Sequence, residues 1–254
     1  MKETDYSKIA KKYDANPIRT DLSREPIIEK VLKAKSDSIS LLDLACGTGN
    51  FLQKQHEEYK YDKISWYGCD LSEEMLAIAY RKAPFAHLTL SDAASLPYPD
   101  ASFDIVTCDF AFHHFADKLN CIKEIARTLK YDGVVKMTNI CPEHMPASWV
   151  YHYFPSTREI DNDRFWSSRT LFSEFTKHGF KVETEITIRM KNFLLSELLA
   201  EAINRDMSQL NLIDDMEFNN GIEKIKNDIK NNKGYFGEFS LFRLVAKKVD
   251  ERSV

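Results

Sequence analysis

The chain has 254 residues, of which 43% are hydrophobic and 29% are charged, and its formal net charge is −4. This length suits one α/β domain with a sizeable core, and the composition is that of a soluble globular protein. The acidic balance excludes a general electrostatic attraction to nucleic acid or to anionic membranes.

The chain shows no sign of a membrane segment or of export. No run of about 18 apolar residues is present, and the polar start at residues 1–5 is unlike a signal peptide. We therefore expect a cytoplasmic protein without a membrane partner. The cysteines form no CxxC pair and no metal-ligand spacing, so no metal is expected. We interpret them as small apolar residues in a reducing compartment; a thiol site for a soft metalloid substrate is the weaker alternative. They are Cys46, Cys69, Cys108, Cys121 and Cys141.

Strands and helices alternate over the first 140 residues. Helices are predicted at 4–13 and 22–35, and helical patterns then lie between most of the strands. The predicted strands are 39–44, 64–69, 87–90, 103–108 and 133–140. This alternation predicts a parallel, doubly wound sheet with right-handed crossovers.

The pattern changes after residue 140. Residues 141–167 are rich in aromatics and prolines, and we predict an irregular segment there rather than another βα repeat. A helix at 168–178 and strands at 181–190 and 238–247 complete a seven-stranded, mostly parallel sheet. An insertion between those strands is predicted helical at 194–210 and 214–231. We expect a single domain over 1–254, with a ligand-binding core at 39–140 and a helical, aromatic cap from 1–36, 141–167 and 191–236.

The most informative feature is a glycine turn followed by a strand that ends in a carboxylate. Gly47 and Gly49 follow the first strand, and Asp70 lies 21 positions after Gly49. The glycines let the backbone turn tightly and approach a ligand closely, and the carboxylate can accept hydrogen bonds from ribose hydroxyls. The pattern predicts a nucleoside site.

Two common nucleotide sites do not match. A nicotinamide site has a third small residue where this chain has Leu52. A P-loop needs a Gly-Lys-Ser or Gly-Lys-Thr sequence, which does not follow the turn.

Several blocks resemble the class I S-adenosylmethionine (SAM) dependent methyltransferases, in that family's order and over about residues 4–140. The segment Asp43-x-Ala45-x-Gly47-x-Gly49 resembles the first motif. Residues 70–76 are similar to the ribose-binding segment, residues 92–104 to the third block, and residues 103–115 to the fourth. The nearest subgroup contains the ubiquinone and menaquinone methyltransferases and many small-molecule methyltransferases. The resemblance implies a Rossmann-like methyltransferase fold with SAM as the cofactor, bound by the 39–140 core.

The resemblance also implies roles for individual residues. Asp70 would bind the ribose, Asp92 and Ala93 would meet the adenine, and the backbone of the glycine turn would hold the amino-acid end. Asp109 would bind the methionyl amino group or face the substrate. Tyr6, Tyr13 and Phe110 would contribute cation–π stabilisation of the sulfonium. The full set of expected cofactor residues is Tyr13, Ala45, Cys46, Gly47, Gly49, Asp70, Leu71, Met75, Asp92, Ala93, Asp109 and Phe110.

A general base is the remaining requirement for methylation of a hydroxyl or an ammonium. His113 is the candidate, because a neutral imidazole near pH 7 can take such a proton. A packed histidine is the alternative interpretation of His113. Further residues are candidates for contact with the substrate. They are His114, Trp149, Tyr153 and Trp166.

We therefore predict an enzyme of class EC 2.1.1 that transfers a methyl group to an O or N atom of a small molecule. A tRNA-modifying methyltransferase and a SAM-binding regulator without turnover are the alternatives. The sequence leaves the acceptor and the oligomeric state open.

Overall fold

A computed structural model describes residues 23–35, 37–60 and 63–249. Its centre is a seven-stranded sheet with the strand order β3-β2-β1-β4-β5-β7-β6. The first five strands are Ile39–Leu44 (β1), Ile64–Asp70 (β2), His87–Leu90 (β3), Phe103–Asp109 (β4) and Leu129–Ile140 (β5), followed by Phe180–Phe193 (β6) and Tyr235–Lys248 (β7). Strands β1 to β5 pair in parallel, which confirms the predicted α/β, doubly wound, mostly parallel sheet.

The strand register places the ends of neighbouring strands side by side. Asp43 of β1 lies opposite Gly68 of β2 and opposite Thr107 of β4. Asp70, the last residue of β2, lies opposite Leu90 at the end of β3. Because parallel strands share one direction, their carboxyl ends meet at one edge of the sheet, where α/β proteins bind ligands.

The described helices are short. They are Pro26–Ala34 (α1), Asn50–Glu58 (α2), Glu73–Lys82 (α3), Lys118–Thr128 (α4), Trp149–Tyr153 (α5), Ser156–Arg164 (α6), Ser168–Lys177 (α7), Leu195–Ile203 (α8) and Asp215–Lys230 (α9). The helix predicted at 194–210 ends at Ile203, and a 3-10 turn at Ser208–Asn211 follows it. The helix predicted at 4–13 lies outside the described residues.

Residues 141–167 contain no strand, as expected for a segment that is not another βα repeat, but they are more regular than predicted because α5 and α6 occupy much of the segment. Two of its three prolines stand at the starts of helical turns. Pro142 opens a 3-10 turn and Pro155 directly precedes α6. Proline suits that position because a helix leaves its first N–H groups unpaired in any case.

The chain divides into two compact units. Among the described residues, the sheet unit contains 23–139, 169–184 and 243–249, and the second unit contains Ile140–Ser168 and Glu185–Phe242. The expectation of a single domain stays a prediction.

The sheet unit has its own apolar core. Helix α1, which the sequence placed with the cap, packs here through Ile27, Ile28 and Val31 against residues of β1 and β2. Helix α1 begins at Pro26, and the Glu25 carboxylate caps it by accepting a hydrogen bond from the Ile27 amide.

The second unit has a separate apolar core built largely from aromatic and leucine side chains. Its buried members include Trp149, Tyr153 and Phe154 of the α5 region and Leu198 of α8. Helix α9 closes tightly on this core at Gly221, where a Cβ atom would stand 2.2 Å from a ring carbon of Phe154. The aromatic segment is therefore a packing element of its own unit.

Candidate cofactor site

A tight turn connects β1 to α2. Ala45, Gly47 and Gly49 all have left-handed backbones, with φ of 57°, 55° and 79°. The Gly49 amide donates to the Cys46 carbonyl, which closes the turn. A Cβ on Gly49 would stand 3.1 Å from the Cβ of Ala79, so glycine allows α2 and α3 to approach each other. The turn places the amino end of α2 at the ligand edge of the sheet, where free N–H groups favour anionic or polar ligand groups.

Asp70 is fixed by backbone amides on two sides. Its Oδ2 atom accepts a 2.8 Å hydrogen bond from the Gly47 amide, and its Oδ1 atom accepts a 2.9 Å bond from the Ser72 amide. Burial raises the pKa of Asp70, and amide donors from Ser72, Gly47 and Leu71 oppose that shift. A carboxylate offers about four acceptor positions. Asp70 is thus positioned by two hydrogen bonds and has further acceptor capacity for a diol.

The segment after Asp70 starts α3. The Ser72 hydroxyl accepts a hydrogen bond from the Met75 amide and caps the helix. Of the two expected cofactor residues in this segment, Leu71 is 72% exposed, whereas Met75 is buried. An exposed leucine beside a fixed carboxylate provides an apolar surface for a flat ring.

The third block lies beside Asp70 through the backbone. The Ser91 amide donates to the Asp70 carbonyl. Asp92 follows, and its Oδ1 atom accepts a 2.8 Å hydrogen bond from the Ala94 amide, while Ala93 is buried. The expected ribose and adenine residues therefore stand on adjoining loops.

The end of β4 carries a strained residue. Phe110 has a φ of 53°, which is uncommon for a residue with a bulky side chain. Its amide donates to the Thr138 carbonyl at 2.7 Å, and its side chain is 43% exposed. Strained and exposed positions of this kind concentrate at ligand sites.

Asp109, next to Phe110, is bound by a lysine that the sequence patterns did not indicate. Lys136 Nζ donates to both carboxylate oxygens of Asp109, at 2.8 and 2.6 Å, and lies 3.1 Å from Glu25 Oε2. Glu25 also pairs with Arg243 at 2.6 Å. The sequence did carry one signal for Lys136, because it is the lone cation within the apolar stretch 133–137 of β5. This network fixes the Asp109 carboxylate, for which the sequence predicted contact with a ligand or, as the alternative, capping of the next turn.

Asp43 lies below the turn and binds the neighbouring strand. Its Oδ1 atom accepts a 2.8 Å hydrogen bond from the Thr107 hydroxyl of β4. Burial raises the pKa of Asp43 to about 8, with the hydrogen bond from Thr107 opposing the shift. Asp43 therefore links β1 to β4.

The two adjacent histidines occupy a 3-10 turn, Phe112–His114, directly after the strained residue. His113 is buried and His114 is partly buried. Their rings contact each other, with centroids 3.9 Å apart. The chain therefore brings His113 to the end of β4, near the strand end that carries Asp109.

The remaining predicted residues fall into two groups. Tyr6 and Tyr13 lie outside the described residues. Trp149 and Tyr153 are buried in the core of the second unit, where Tyr153 donates a hydrogen bond to Asp228, and Trp166 is partly buried. Their contact with substrate stays a prediction.

Three possible metal ligands lie together in the second unit. Cys141 Sγ is 3.5 Å from Glu143 Oε1, and His144 Nε2 is 3.7 Å from the same oxygen. That oxygen also accepts hydrogen bonds from the Ser168 amide and hydroxyl. Burial raises the pKa of Cys141 to about 12, so the thiol is neutral at pH 7. The expectation of no metal stays a prediction, which equilibrium dialysis with Zn²⁺ would test.

The other four cysteines are also unpaired and buried. Burial raises the pKa of Cys46, Cys108 and Cys121 well above the usual value and that of Cys69 to about 12. Reactive cysteines need a thiolate, so these four thiols have the character of packing residues.

Comparisons with known proteins identify methyltransferases as relatives of this chain. A family model described as a methyltransferase domain matches residues 42–137. A demethylmenaquinone methyltransferase from Thermotoga maritima is 31% identical over 161 residues, which are 60% of this chain and 68% of that protein. A protein of the same name from Deinococcus radiodurans is 37% identical over 115 residues, which are 44% of this chain and 46% of that protein.

Solved structures show the same fold. A proposed methyltransferase of an antibiotic biosynthesis pathway from Anabaena variabilis superimposes with a TM-score of 0.70 at 20% identity, over 89% of this chain and 98% of that one. The YcgJ protein from Bacillus subtilis gives a TM-score of 0.59 at 20% identity, over 88% and 98% of the two chains.

The fold defines an α/β protein whose parallel strands end at one edge of the sheet, where proteins of this class bind their ligands. The chain belongs to the class I SAM-dependent methyltransferase family. Membership confirms SAM as the expected cofactor and confirms the prediction that the protein is a methyltransferase.

The residues present fit that cofactor. The Asp70 carboxylate has acceptor capacity for two hydroxyls, and the turn residues 45–49 leave room for close approach. The Thr48 hydroxyl, inside this turn, is buried and has no hydrogen-bond partner among the described residues. A buried polar atom of this kind calls for a bound polar group.

Among the described residues, no helix is both long enough and apolar enough to cross a membrane.

Proposed function

We propose that this methyltransferase transfers the methyl group of SAM to an O or N atom of a small-molecule acceptor. The observation that supports this most directly is the placement of His113 on the turn after β4, next to the strained Phe110. Methylation of a hydroxyl or an ammonium releases a proton, and an imidazole can accept it near neutral pH.

We further propose the roles of the cofactor-binding residues. Asp70 binds the ribose hydroxyls, Leu71 covers one face of the adenine, and Asp92 and Ala93 contact its edge. The turn at Ala45, Cys46, Gly47 and Gly49 holds the amino-acid end. Lys136 holds the Asp109 carboxylate in place beside Phe110, so that Asp109 can accept a hydrogen bond from the methionyl ammonium group.

The bound cofactor supplies an activated methyl group on a sulfonium. The chain's own residues align the acceptor with it, exclude water and remove the proton. Phe110, with its exposed ring, provides an aromatic face for a cation. His113 takes the acceptor proton, and the ring of His114 packs against it at 3.9 Å.

The test combines product detection with two histidine variants. Purified protein and isotopically labelled SAM are incubated with a metabolite extract of the source organism, and labelled products are identified by mass spectrometry. With the acceptor known, we expect His113→Ala to lower kcat at least 100-fold with little change in SAM affinity. The matched control is His178→Ala, because the His178 ring bonds to the Glu174 carbonyl, four positions earlier and far along the chain from the site. Full activity of His113→Ala would remove His113 as the base.

A second candidate reaction is C-methylation of a naphthoquinol. The relatives' name, demethylmenaquinone methyltransferase, favours it, since one such protein is 31% identical to this chain. Transfer of labelled methyl to demethylmenaquinone in detergent would establish this reaction. Labelled products confined to hydroxyl or amine metabolites would support the first proposal instead.

Simple tests separate these reactions from a tRNA-modifying enzyme and from a SAM-binding regulator. A tRNA-modifying enzyme would bind bulk tRNA tightly and with strong salt dependence, which a net charge of −4 disfavours. A SAM-binding regulator would bind the cofactor but yield no labelled product from any extract.

A further inference from the structure

Strand β6 is an outer strand of the sheet. It spans Phe180–Phe193 and stands last in the strand order, with β7 as its one neighbour among the described strands. At 14 residues it is far longer than the usual edge strand. Unpaired N–H and C=O groups along such an edge can pair with another strand, and proteins normally limit this by keeping edges short.

One face of β6 carries a self-complementary row of charges. Alternate residues of a strand share a face, so Glu183, Glu185, Thr187, Arg189 and Lys191 form one row. The two acids precede Thr187 by four and two positions, and the two bases follow it by two and four positions. All four charged residues are exposed. Glu183, Glu185 and Arg189 form no ion pair with any described residue.

The opposite face of β6 is apolar and also exposed. Ile186, Ile188 and Met190 are 37%, 51% and 55% exposed. Three exposed apolar side chains in one row on an edge strand are unusual for a monomer, because water contact of such a row is unfavourable. Both faces of this edge strand are therefore open to a partner.

We propose that β6 pairs with β6 of a second copy of this chain, antiparallel and with a two-fold axis at Thr187. In this register Glu185 faces Arg189 of the second copy, and Glu183 faces Lys191. On the other face, Ile186 meets Ile188 and Thr184 meets Met190. Both rows are therefore matched by one and the same register, as an isologous two-fold interface requires.

Moving the two-fold axis by one residue leaves only one of the two acid–base pairs matched. With the axis at Ile188, Glu185 faces Lys191 but Glu183 faces Phe193. With the axis at Ile186, Glu183 faces Arg189 but Lys181 faces its like charge Lys191. The charge order thus favours a second copy as the partner, with the axis at Thr187 as the register that matches both acids with bases, whereas an unrelated strand would need the same order of charges by chance.

Charge reversal tests the register directly. The wild type, Arg189→Glu, Glu185→Arg and the double variant Glu185→Arg/Arg189→Glu are compared by sedimentation velocity at about 1 to 100 μM. We expect a dimer for the wild type and at least a tenfold weaker dimer for each single variant, because like charges then face each other across both symmetric pairs. The double variant exchanges the charges and is expected to recover the dimer.

Circular dichroism and SAM binding show whether each variant is folded. A disulfide provides a second, independent readout. Residues at the axis face their own copies at a Cα separation of about 4.5–5.5 Å, which a disulfide can span. Thr187→Cys is therefore expected to form a covalent dimer on mild oxidation, whereas Lys181→Cys, about 40 Å from its own copy, is not.

Three results would overturn the proposal. They are a wild type that stays monomeric at about 100 μM, a dimer unaffected by either single reversal, and a folded double variant that fails to recover the dimer while Thr187→Cys forms no cross-link.

Discussion

The Asp70 carboxylate accepts a 2.8 Å hydrogen bond from the Gly47 amide and thereby joins the end of β2 to the turn after β1. This contact unites the two parts of the pattern that first indicated a nucleoside site. It has a functional consequence, because the same carboxylate that orders the turn also has acceptor capacity for ribose hydroxyls. Loss of Asp70 should affect both the turn and the cofactor.

The first prediction concerns Gly49, where a side chain would meet two penalties, a left-handed backbone and a close contact with Ala79. A control glycine separates the energetic cost of each. Gly179 has nearly the same φ, 81° against 79°, but a Cβ there would meet nothing within 4 Å. Gly179→Ala is therefore expected to lower the free energy of unfolding by only about 1–2 kcal/mol, from backbone strain. Gly49→Ala should cost at least about 1 kcal/mol more, because its Cβ would crowd Ala79, and it should also weaken SAM binding. Equal losses in chemical denaturation would show that the contact with Ala79 is unimportant.

The second prediction concerns Lys136, which is buried between two carboxylates. Lys136→Met leaves Asp109 without the ammonium group that binds it and is expected to lower the free energy of unfolding by about 3–5 kcal/mol. Lys226→Met is the control, since Lys226 forms an exposed pair with Glu223 at 2.7 Å and should contribute less than about 1 kcal/mol. Urea denaturation measures both. A Lys136 variant as stable as the control would mean that the network does not fix Asp109.

The third prediction concerns the pH dependence contributed by Asp43. Burial raises its pKa to about 8 in the folded state, from an ordinary value of 3.8. Between these values the folded chain holds a proton that the unfolded chain has lost, so this group's contribution to stability is full below about pH 4 and declines as the pH rises towards 8. The slope is at most about 1.4 kcal/mol per pH unit.

Asp43→Asn removes this titration and keeps an acceptor for the Thr107 hydroxyl. We expect its free energy of unfolding to fall less steeply than that of the wild type from pH 5 to 8. Asp215→Asn, at an exposed position in the first turn of α9, is the control and should leave the slope unchanged. A slope for Asp43→Asn equal to that of the wild type would contradict the raised pKa.

Much of the fold was predictable because local patterns determine it. The bounds of β1 and β3 follow directly from apolar runs between turn residues, and the parallel, doubly wound arrangement follows from the alternation of strands and helices. Asp70 was identifiable because its distance along the chain from Gly49 is the one expected within a single βαβ unit. In these cases the local signal and the tertiary structure agree.

Other features depend on contacts between distant parts of the chain. Lys136 meets Asp109 and Glu25 across separations of 27 and 111 positions, so no local pattern predicts that network. Helices α5 and α6 were not predicted because the prolines of this segment indicated irregular structure, whereas Pro142 opens a 3-10 turn and Pro155 directly precedes α6. Exposure of the β6 charge row also became visible only with the strand placed at the sheet edge.

The central claim is that Asp70 and the glycine turn form the SAM site, and calorimetric titration with SAM tests it most directly. Asp70→Ala should weaken binding at least 100-fold, since ribose hydrogen bonds to a charged acceptor are lost and the turn loses its anchor. Asp215→Ala, which removes an exposed carboxylate in α9, should bind as the wild type does. Unchanged SAM affinity in a folded Asp70→Ala protein would contradict the claim.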